Sequence, residues 1–144
     1  MDGFRFTLPY SVRVADVNYG GHVANSAVLN FFQDARIAYL KHLGNFSEMN
    51  IGGECGIILP EAHIKYLAEM FLGDELVIGV KIVELGRSSF RMAYRIERDE
   101  KATAEGETTL VCFDYEARKP RRLSPEFSGK VRTFDVLVDE RVID

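Results

Sequence analysis

Hydrophobic and polar residues alternate along residues 10–16, where Tyr10, Val12 and Val14 share one side of the chain. A period of two residues is typical of a half-buried strand. Two adjacent glycines, Gly20 and Gly21, interrupt the pattern, so we expect a loop after this first strand.

The period changes to that of a helix from residue 25 to residue 43. Apolar residues cover about half of the helical circumference, namely Val28, Leu29, Phe31, Phe32, Ala35, Tyr39, Leu40 and Leu43. The other half carries Asn30, Gln33, Asp34, Arg36, Ile37 and Lys41. We therefore predict a largely buried helix that is capped by Asn25 or Ser26 and ended by Gly44.

Strand patterns fill most of the remaining chain. Short apolar runs at 56–59 and 62–67 are separated by Pro60, which predicts an edge strand or a bulge. Residues 75–85 and 89–97 alternate and predict a hairpin that turns at 85–87. A further strand is expected at 103–117, and Ser124 followed by Pro125 predicts the start of a second helix.

Long antiparallel strands with one substantial helix indicate an α+β fold, in which the helix lies along one face of a curved sheet. No repeat or linker interrupts the sequence, so residues 1–144 are predicted to form a single domain. One helix cannot cover both faces of such a sheet. We expect several apolar residues to lie on the opposite face or at an edge, namely Val77, Val83, Ala93, Leu110 and Cys112. A second copy of the chain would cover them.

Composition and charge narrow the range of functions. The net charge is −4 and there is no basic tail, which argues against nucleic-acid binding. Cys55 and Cys112 are far apart and form no metal-ligand pattern, so we expect two buried, reduced thiols and no metal site. With no apolar run long enough to cross a membrane and no signal-like start, the sequence predicts a cytoplasmic protein.

Several stretches, taken together, resemble one protein family. Residues 13–25 (RVADVNYGGHVAN) and 31–40 (FFQDARIAYL) resemble the D-x-D-x-x-G-H-V-x-N loop and F-x-E-x-A-R helix of hotdog-fold acyl-CoA thioesterases. Residues 66–76 (YLAEMFLGDEL), 85–90 (LGRSSF) and 118–125 (RKPRRLSP) are similar to later segments of these proteins. The motifs follow in the family's order, and the branch that contains 4-hydroxybenzoyl-CoA thioesterase is the most similar.

This resemblance implies a hotdog fold, which is a curved antiparallel sheet wrapped around one long central helix. It implies an enzyme that hydrolyses an acyl-CoA to a carboxylate and free coenzyme A. Coenzyme A is then part of the substrate, and no other cofactor is expected. Family members are homodimers or homotetramers with active sites at subunit interfaces, so a homo-oligomer is implied as well.

Thioester hydrolysis requires a nucleophile or an activated water, and donors for the oxyanion that forms on the carbonyl. Backbone amides around Gly20, Gly21 and His22, at the start of a helix, would supply these donors. The family's usual catalytic carboxylate falls at position 18, where this sequence has Asn18. An amide is neither a base nor a nucleophile at neutral pH, although it can donate to an oxyanion or position a water.

Three replacements for the missing carboxylate remain open. Asp16 matches the first acidic residue of the loop motif, but its alternative role is structural, paired with Arg13 or a loop amide. His22 is a second choice, because an imidazole changes its charge near neutral pH. The third is a carboxylate from elsewhere in the chain or from a facing subunit, namely Asp34, Glu54 or Glu61, of which Asp34 lies on the polar side of the helix.

Recognition of coenzyme A involves a different set of residues. By resemblance, Arg87, Ser88 and Ser89 form the segment that contacts the phosphates, and a guanidinium beside two hydroxyls suits that role. Basic residues cluster again at 118–122, where Arg121 is expected to be a further phosphate ligand. The alternative interpretations are a polar hairpin turn and a solvated basic turn.

Two other functions fit parts of the sequence. A protein that binds acyl-CoA without hydrolysing it would explain Asn18 directly. A hotdog hydratase or dehydratase would carry the loop D-x-N-P-x-H, but Tyr19 replaces the proline and His22 comes one residue late. Release of free thiol from acyl-CoA separates hydrolysis from mere binding.

Overall fold

In a computed structural model of the protein, residues 1–137 are described, and positions 138–144 of the predicted domain lie outside the described residues. The elements in chain order are β1 (Phe6–Ser11), α1 (Asn25–Gly44), β2 (Gly56–Tyr66), β3 (Glu75–Leu85), β4 (Ser89–Arg98), β5 (Lys101–Asp114), β6 (Lys119–Pro120) and α2 (Pro125–Phe134). The predicted α+β class with one long helix is confirmed.

All of these strands belong to one antiparallel sheet in the order β1-β3-β4-β5-β2, with the short β6 paired to β5. The hairpin of β3 and β4 is confirmed, with Val80 opposite Tyr94. The register of β2 against β5 shifts between Ile58 and Glu61, which confirms the irregularity predicted at Pro60. Within the described part of the chain, the long strand β2 forms one edge of the sheet.

Helix α1 packs on one face of the sheet through the apolar side that its period predicts. Phe31, Phe32 and Tyr39 are buried there, and the Phe32 ring stacks on Tyr94 with 4.4 Å between the ring centroids. Gly106 permits this approach, because a Cβ at that position would lie 2.5 Å from the Phe32 ring. The helix therefore lies directly against β4 and β5.

Arg36 does not lie on the solvent side of the helix, where the pattern placed it. It is only 4% exposed, and its guanidinium donates to Glu48 at 2.5 Å and to the Tyr94 hydroxyl at 3.0 Å. A buried charge is tolerated where such partners satisfy its donors. Arg36 thus connects α1 both to the sheet and to the segment that follows the helix.

The first strand lies earlier than the predicted range of 10–16. It ends at Ser11, and the chain then forms a 3-10 turn at Val14–Asp16. The turn forms because the Asp16 carboxylate accepts hydrogen bonds from the Tyr10 hydroxyl at 2.6 Å and from the Arg13 amide at 2.9 Å. Val14 consequently points outward and is 74% exposed.

The ends of α1 also differ from the prediction. Its N-cap is Ala24 rather than Asn25 or Ser26, and no side chain caps the helix. At the other end, Asn45 rather than Gly44 adopts the left-handed backbone conformation. The cap of α2 is confirmed, since Ser124 accepts a hydrogen bond from an amide in the first turn of that helix.

The sheet face away from α1 is mixed, because Val83 and Ala93 lie on it as predicted, beside charged side chains. Leu110 is the cross-strand partner of Phe90 and shares its core-facing side, and so does Cys112 two positions further on. The prediction that Leu110 and Cys112 lie on the outer face is therefore wrong. That face instead carries ion pairs such as Arg95 with Glu105, at 2.8 Å, and these line a shallow cavity of about 510 Å³.

Both cysteines are free and buried, as expected from the sequence. Burial, with the Cys55 thiol close by, raises the pKa of the Cys112 thiol to about 12. A thiol with such a pKa is almost fully protonated at neutral pH and is a poor nucleophile. Cys112 is therefore a core residue without a role in covalent catalysis.

Exposed apolar side chains cluster at the end of β2 and in the segment that follows it. Tyr66, Leu67, Phe71 and Leu72 are each at least 40% exposed, and Tyr19 projects fully into solvent. Apolar patches of this kind, next to an unpaired strand edge, are typical of protein–protein contacts. None of the helices among residues 1–137 is long and apolar enough to cross a membrane.

Candidate active site

The loop between β1 and α1 pairs with the segment that leads into β3. The Val23 amide donates to the Met70 carbonyl at 2.8 Å, and the Leu72 amide donates to the Gly21 carbonyl at 3.1 Å. His22 lies opposite Phe71 in this short antiparallel pairing. The pairing places the imidazole directly before the first turn of α1.

His22 is held by an acidic residue that the sequence did not single out. Its Nδ1 lies 2.7 Å from Oε2 of Glu69, and its ring packs against Phe71 with 4.9 Å between the ring centroids. A Cβ at Gly20 would lie 2.6 Å from Cδ2 of the imidazole, so glycine leaves the space that the ring occupies. Nε2 makes no hydrogen bond to any residue in the described range 1–137.

Asn18 shapes the loop rather than facing a free space. Its side-chain oxygen accepts the Gly20 amide at 3.3 Å and its carbonyl accepts the Gly21 amide at 3.0 Å. The amides of Gly20 and Gly21, expected to face a substrate carbonyl, are therefore engaged within the turn. The Asn18 side-chain nitrogen has no partner among the described residues, so it retains two donors.

Asp16 occupies the structural role that was one of its two alternatives. Its carboxylate closes the turn with Tyr10 and Arg13, and its carbonyl accepts the amide of Ala24 at 3.0 Å. Burial and the neighbouring carboxylate of Asp16 raise the pKa of Tyr10. Asp16 therefore supports the start of α1 through Oδ2 and its carbonyl, and it does not line the cavity that contains His22.

The start of α1 offers donors at this site. Because no side chain caps the helix, the amides of Asn25 and Ser26 find no acceptor among residues 1–137. The positive end of the helix dipole lies at these same groups. Asn25 shares with His22 a cavity of about 260 Å³, whose apolar wall includes Val28 and Met70.

Tyr66 and Glu69 complete the lining of this cavity at the end of β2. The Tyr66 hydroxyl donates to the Asn25 carbonyl at 3.1 Å, which ties the strand end to the helix start. The segment around Glu69 is fixed from behind, because Arg98 donates to the Glu69 carbonyl and to the Asp74 carboxylate, each at 2.7 Å.

The other carboxylates weighed from the sequence lie elsewhere in the chain. Asp34 is exposed on the outer side of α1. Glu61 accepts a hydrogen bond from Thr109 at 3.3 Å, and Glu54 lies in a loop beside Arg121. None of the three lines the cavity that contains His22 in the same chain. Among residues 1–137 no group of acidic, histidine and cysteine side chains forms a metal site.

A second cavity, of about 420 Å³, lies at the opposite end of β3. Arg87 from the β3–β4 hairpin and Arg122 line it together with Ser124 and Ser128 at the start of α2. Two guanidinium groups at a helix N-terminus form a basic environment suited to phosphate. This arrangement brings Arg87 together with one member of the basic cluster at 118–122, namely Arg122.

The details of this basic cavity differ from the prediction. Arg121 points away and pairs with Asp114 at 2.7 Å, so its neighbour Arg122 takes the place expected for it. Ser88 and Ser89 lie in the hairpin, half-buried, and their carbonyls accept the amides of Cys112 and Gly86. Neither serine lines the cavity.

Two features define the class of protein. The fold is an antiparallel sheet with one long helix across it, and the site is an imidazole near the backbone amides at the start of that helix. It is a hotdog-fold protein with a site suited to thioester chemistry. The chain belongs to the Thioesterase-like superfamily, whose family model matches residues 12–131. The resemblance found in the sequence is thereby confirmed.

Individual relatives support the same assignment. The chain is 28% identical over 118 residues to a 1,4-dihydroxy-2-naphthoyl-CoA hydrolase of Synechococcus elongatus, covering 78% of this chain and 87% of the relative. It is 26% identical to the acyl-CoA thioesterase YbgC of Haemophilus influenzae, covering 80% and 85%. A thioesterase of Thermus thermophilus, solved with coenzyme A and zinc, superposes with a TM-score of 0.80 at 28% identity, covering 94% and 97%.

Proposed function

We propose that this chain is an acyl-CoA thioesterase, which converts an acyl-CoA and water to a carboxylate and free coenzyme A. One observation carries the proposal: His22 and Asn25 line one cavity, and neither Nε2 of His22 nor the backbone amide of Asn25 has a hydrogen-bond partner among residues 1–137. These are the base and the oxyanion donors that the reaction requires. The names of the relatives support the same substrate class.

The reaction proceeds by attack of water on the thioester carbonyl. The carbonyl oxygen accepts hydrogen bonds from the α1 amides, which stabilise its negative charge as the tetrahedral intermediate forms. His22 takes a proton from the attacking water. When the intermediate collapses, the C–S bond breaks and the proton on His22 passes to the departing thiolate. The proposed steps use no metal or redox cofactor.

The phosphates of coenzyme A bind in the basic cavity of Arg87 and Arg122. Charge-assisted hydrogen bonds from two guanidinium groups, together with the N-terminus of α2, suit a nucleotide phosphate. Arg121, which pairs with Asp114, does not line this cavity, and neither do Ser88 and Ser89, so the proposal gives the phosphate contacts to Arg87 and Arg122.

The two cavities lie at opposite ends of the same strands. Tyr66, at the end of β2, lines the His22 cavity, whereas Gly53, just before β2, lines the basic cavity. A strand of 11 residues spans about 35 Å, which exceeds the reach of a pantetheine arm and its pyrophosphate. One acyl-CoA therefore does not occupy both cavities of a single protomer.

A homodimer resolves this separation. Antiparallel pairing of two β2 edges, across a two-fold axis, brings the His22 cavity of one protomer beside the basic cavity of its partner. The exposed apolar side chains near the end of β2, among them Tyr66 and Leu67, support burial of this edge. We therefore include a dimer, alone or within a tetramer, in the proposal, and two free thiols favour a cytoplasmic location.

A panel of acyl-CoA substrates, assayed by released thiol, tests the proposed function. We expect turnover above background for at least one aromatic or short-chain substrate. Asn18→Asp is expected to retain or raise this rate, since a carboxylate still accepts the Gly20 amide and restores the family's acid. Measurable affinity for acyl-CoA without turnover by either protein would instead identify a binding protein.

Mixing two impaired variants, assayed at a substrate concentration well below the KM of Arg87→Ala, tests the shared site. His22→Ala and Arg87→Ala each damage a different half of it, so a mixed dimer contains one intact site and one doubly damaged site. We expect activity to reappear when the two variants are unfolded together and refolded. Activity no greater than the sum of the separate variants would contradict a site shared between protomers.

A further inference from the structure

We infer that Glu69 is a positioning residue, which fixes the tautomer and orientation of His22 so that Nε2 is the atom that accepts the proton from water. This inference rests on the proposed hydrolase function. In this inference, Glu69 and His22 together activate the water, as a single carboxylate at position 18 would do.

The ion pair determines which nitrogen carries hydrogen. A carboxylate only accepts hydrogen bonds, so Nδ1 of His22, which lies 2.7 Å from Glu69 Oε2, must be the protonated nitrogen. In the neutral imidazole this leaves the lone pair on Nε2. Nε2 has no partner among residues 1–137, and His22 borders the apolar cavity at the start of α1.

The ring cannot easily rotate away from this orientation. Phe71 packs on it with 4.9 Å between centroids, and Gly20 lies against its other edge, where even a methyl group would clash with Cδ2. The imidazole therefore packs between one aromatic ring and one glycine, and its Nδ1 is fixed by a carboxylate, while 41% of the side chain is exposed. Preorganisation of this kind suits a base.

Glu69 itself is 65% exposed at its side chain, so its position depends on the backbone that carries it. That backbone is fixed from two sides. The Arg98 guanidinium donates to the Glu69 carbonyl at 2.7 Å, and the next residue, Met70, accepts the Val23 amide at 2.8 Å. An exposed ion pair contributes little to stability, so this degree of support is better explained by a role in the reaction.

The chemical step places each proton. Water attacks the carbonyl carbon while one of its protons passes to Nε2, which produces an imidazolium whose positive charge faces the Glu69 carboxylate. The C–S bond then breaks, and the same proton passes from Nε2 to the thiolate sulfur. Glu69 keeps its charge throughout and exchanges no proton with the substrate.

A double-mutant cycle tests this role on the full-length protein. Glu69→Gln removes the charge but keeps the size, and we expect kcat to fall at least about tenfold while KM changes by less than about twofold. Glu69→Asp should recover part of the loss. In the His22→Ala background, Glu69→Gln should have no further effect, because its partner is absent.

The matched control is Glu105→Gln, which removes a similarly short, partly exposed ion pair with Arg95 on the outer face of the sheet. Its kcat and KM should equal those of the wild type. If the losses in kcat for Glu69→Gln and His22→Ala multiplied in the double variant, Glu69 would not act through His22. An equal fall in kcat for Glu105→Gln would contradict the role as well. A wild type that hydrolyses no acyl-CoA would instead overturn the hydrolase function, and this inference with it.

The tautomer gives a readout that does not depend on turnover. The chain has three histidines, and the ¹⁵N signals of His22 are identified by their loss in His22→Ala. In mildly alkaline buffer, the wild type should show hydrogen on Nδ1, whereas Glu69→Ala should shift the population toward hydrogen on Nε2. The same tautomer in both proteins would overturn the assignment of Glu69.

Discussion

The two ends of strand β3 have different chemistry. At one end, a loop and the bare start of α1 assemble an imidazole, free amides and an apolar cavity of about 260 Å³. At the other, a hairpin and the start of α2 assemble two arginines around a cavity of about 420 Å³. Both ends use a helix N-terminus, but one is uncapped and the other is capped by Ser124.

Under the proposed function, this difference separates the reaction from the recognition of coenzyme A. An uncapped helix keeps its amides free for an oxyanion that exists only during turnover. The capped helix satisfies an amide internally, and in the proposed function Arg87 and Arg122 supply the positive charge that binds the phosphates. Substitutions at the two ends should therefore change different kinetic constants.

The largest effect is expected at the imidazole. His22→Ala should lower kcat by about 10²- to 10⁴-fold, the usual contribution of a general base, with little change in affinity for coenzyme A. Steady-state kinetics and calorimetric titration with coenzyme A measure the two quantities separately. Equal losses in turnover and in affinity for coenzyme A would show that catalysis and binding are not separated between the two ends of β3.

The next largest effect is expected at the basic end. Arg87→Ala should raise KM by about 10- to 100-fold, as expected for loss of a hydrogen bond to a charged group, and should leave kcat nearly unchanged. Lys41→Ala, which removes a positive charge from the exposed side of α1, is the control. An unchanged KM for Arg87→Ala would remove this cavity from the phosphate site.

A smaller effect is expected where the loop backbone contacts the ring. Gly20→Ala places a Cβ 2.6 Å from the imidazole and should displace it, lowering kcat by about tenfold. Gly129→Ala is the matched control, because nothing lies within 4 Å of a Cβ there. If both alanine variants had the activity of the wild type, the ring would not be held as the structure indicates.

The smallest effect concerns the support behind the site and depends on pH. Burial alone would raise the pKa of Asp74, but the Phe71 amide and the Arg98 guanidinium outweigh it and hold that pKa below its ordinary value. An acid with a lowered pKa in the folded state stabilises the protein above its ordinary pKa of 3.8, and this contribution is lost as the pH falls further.

Asp74→Asn should therefore make stability less sensitive to acid. Urea unfolding midpoints compared between about pH 5 and pH 2 should fall less for this variant than for the wild type. Asp2→Asn, at an exposed position near the N-terminus, controls for the loss of one carboxylate. A decline as steep as that of the wild type would show that Asp74 does not contribute to the acid sensitivity.

Local periodicity was sufficient to predict most of the fold. The long helix and the β3–β4 hairpin follow from spacing alone, because each has a continuous buried side. Spacing alone did not predict which face of the sheet Leu110 and Cys112 occupy, since this depends on the register with Phe90 in another strand. The early end of β1 also depends on side-chain hydrogen bonds to Asp16, which alternation does not reveal.

The site was predicted less completely, because several of its contacts join residues that are distant in the sequence. Asn18 and His22 lie in one loop and were found through its motif, whereas Glu69 meets His22 only through the pairing of distant segments. A signal for it was present, because Glu69 lies within the 66–76 segment of the family resemblance. The choice between Arg121 and Arg122 depends on the pairing of β6, which orients one of them toward Asp114.

The separation of the two cavities along β2 has a thermodynamic consequence. A ligand that contacts both protomers of a dimer binds the assembled pair and not the free chains, so ligand binding and association are linked by mass action. Acyl-CoA should therefore lower the dissociation constant of the dimer, and specific activity should decline as the enzyme is diluted. Substrate supply and the extent of assembly would then rise and fall together.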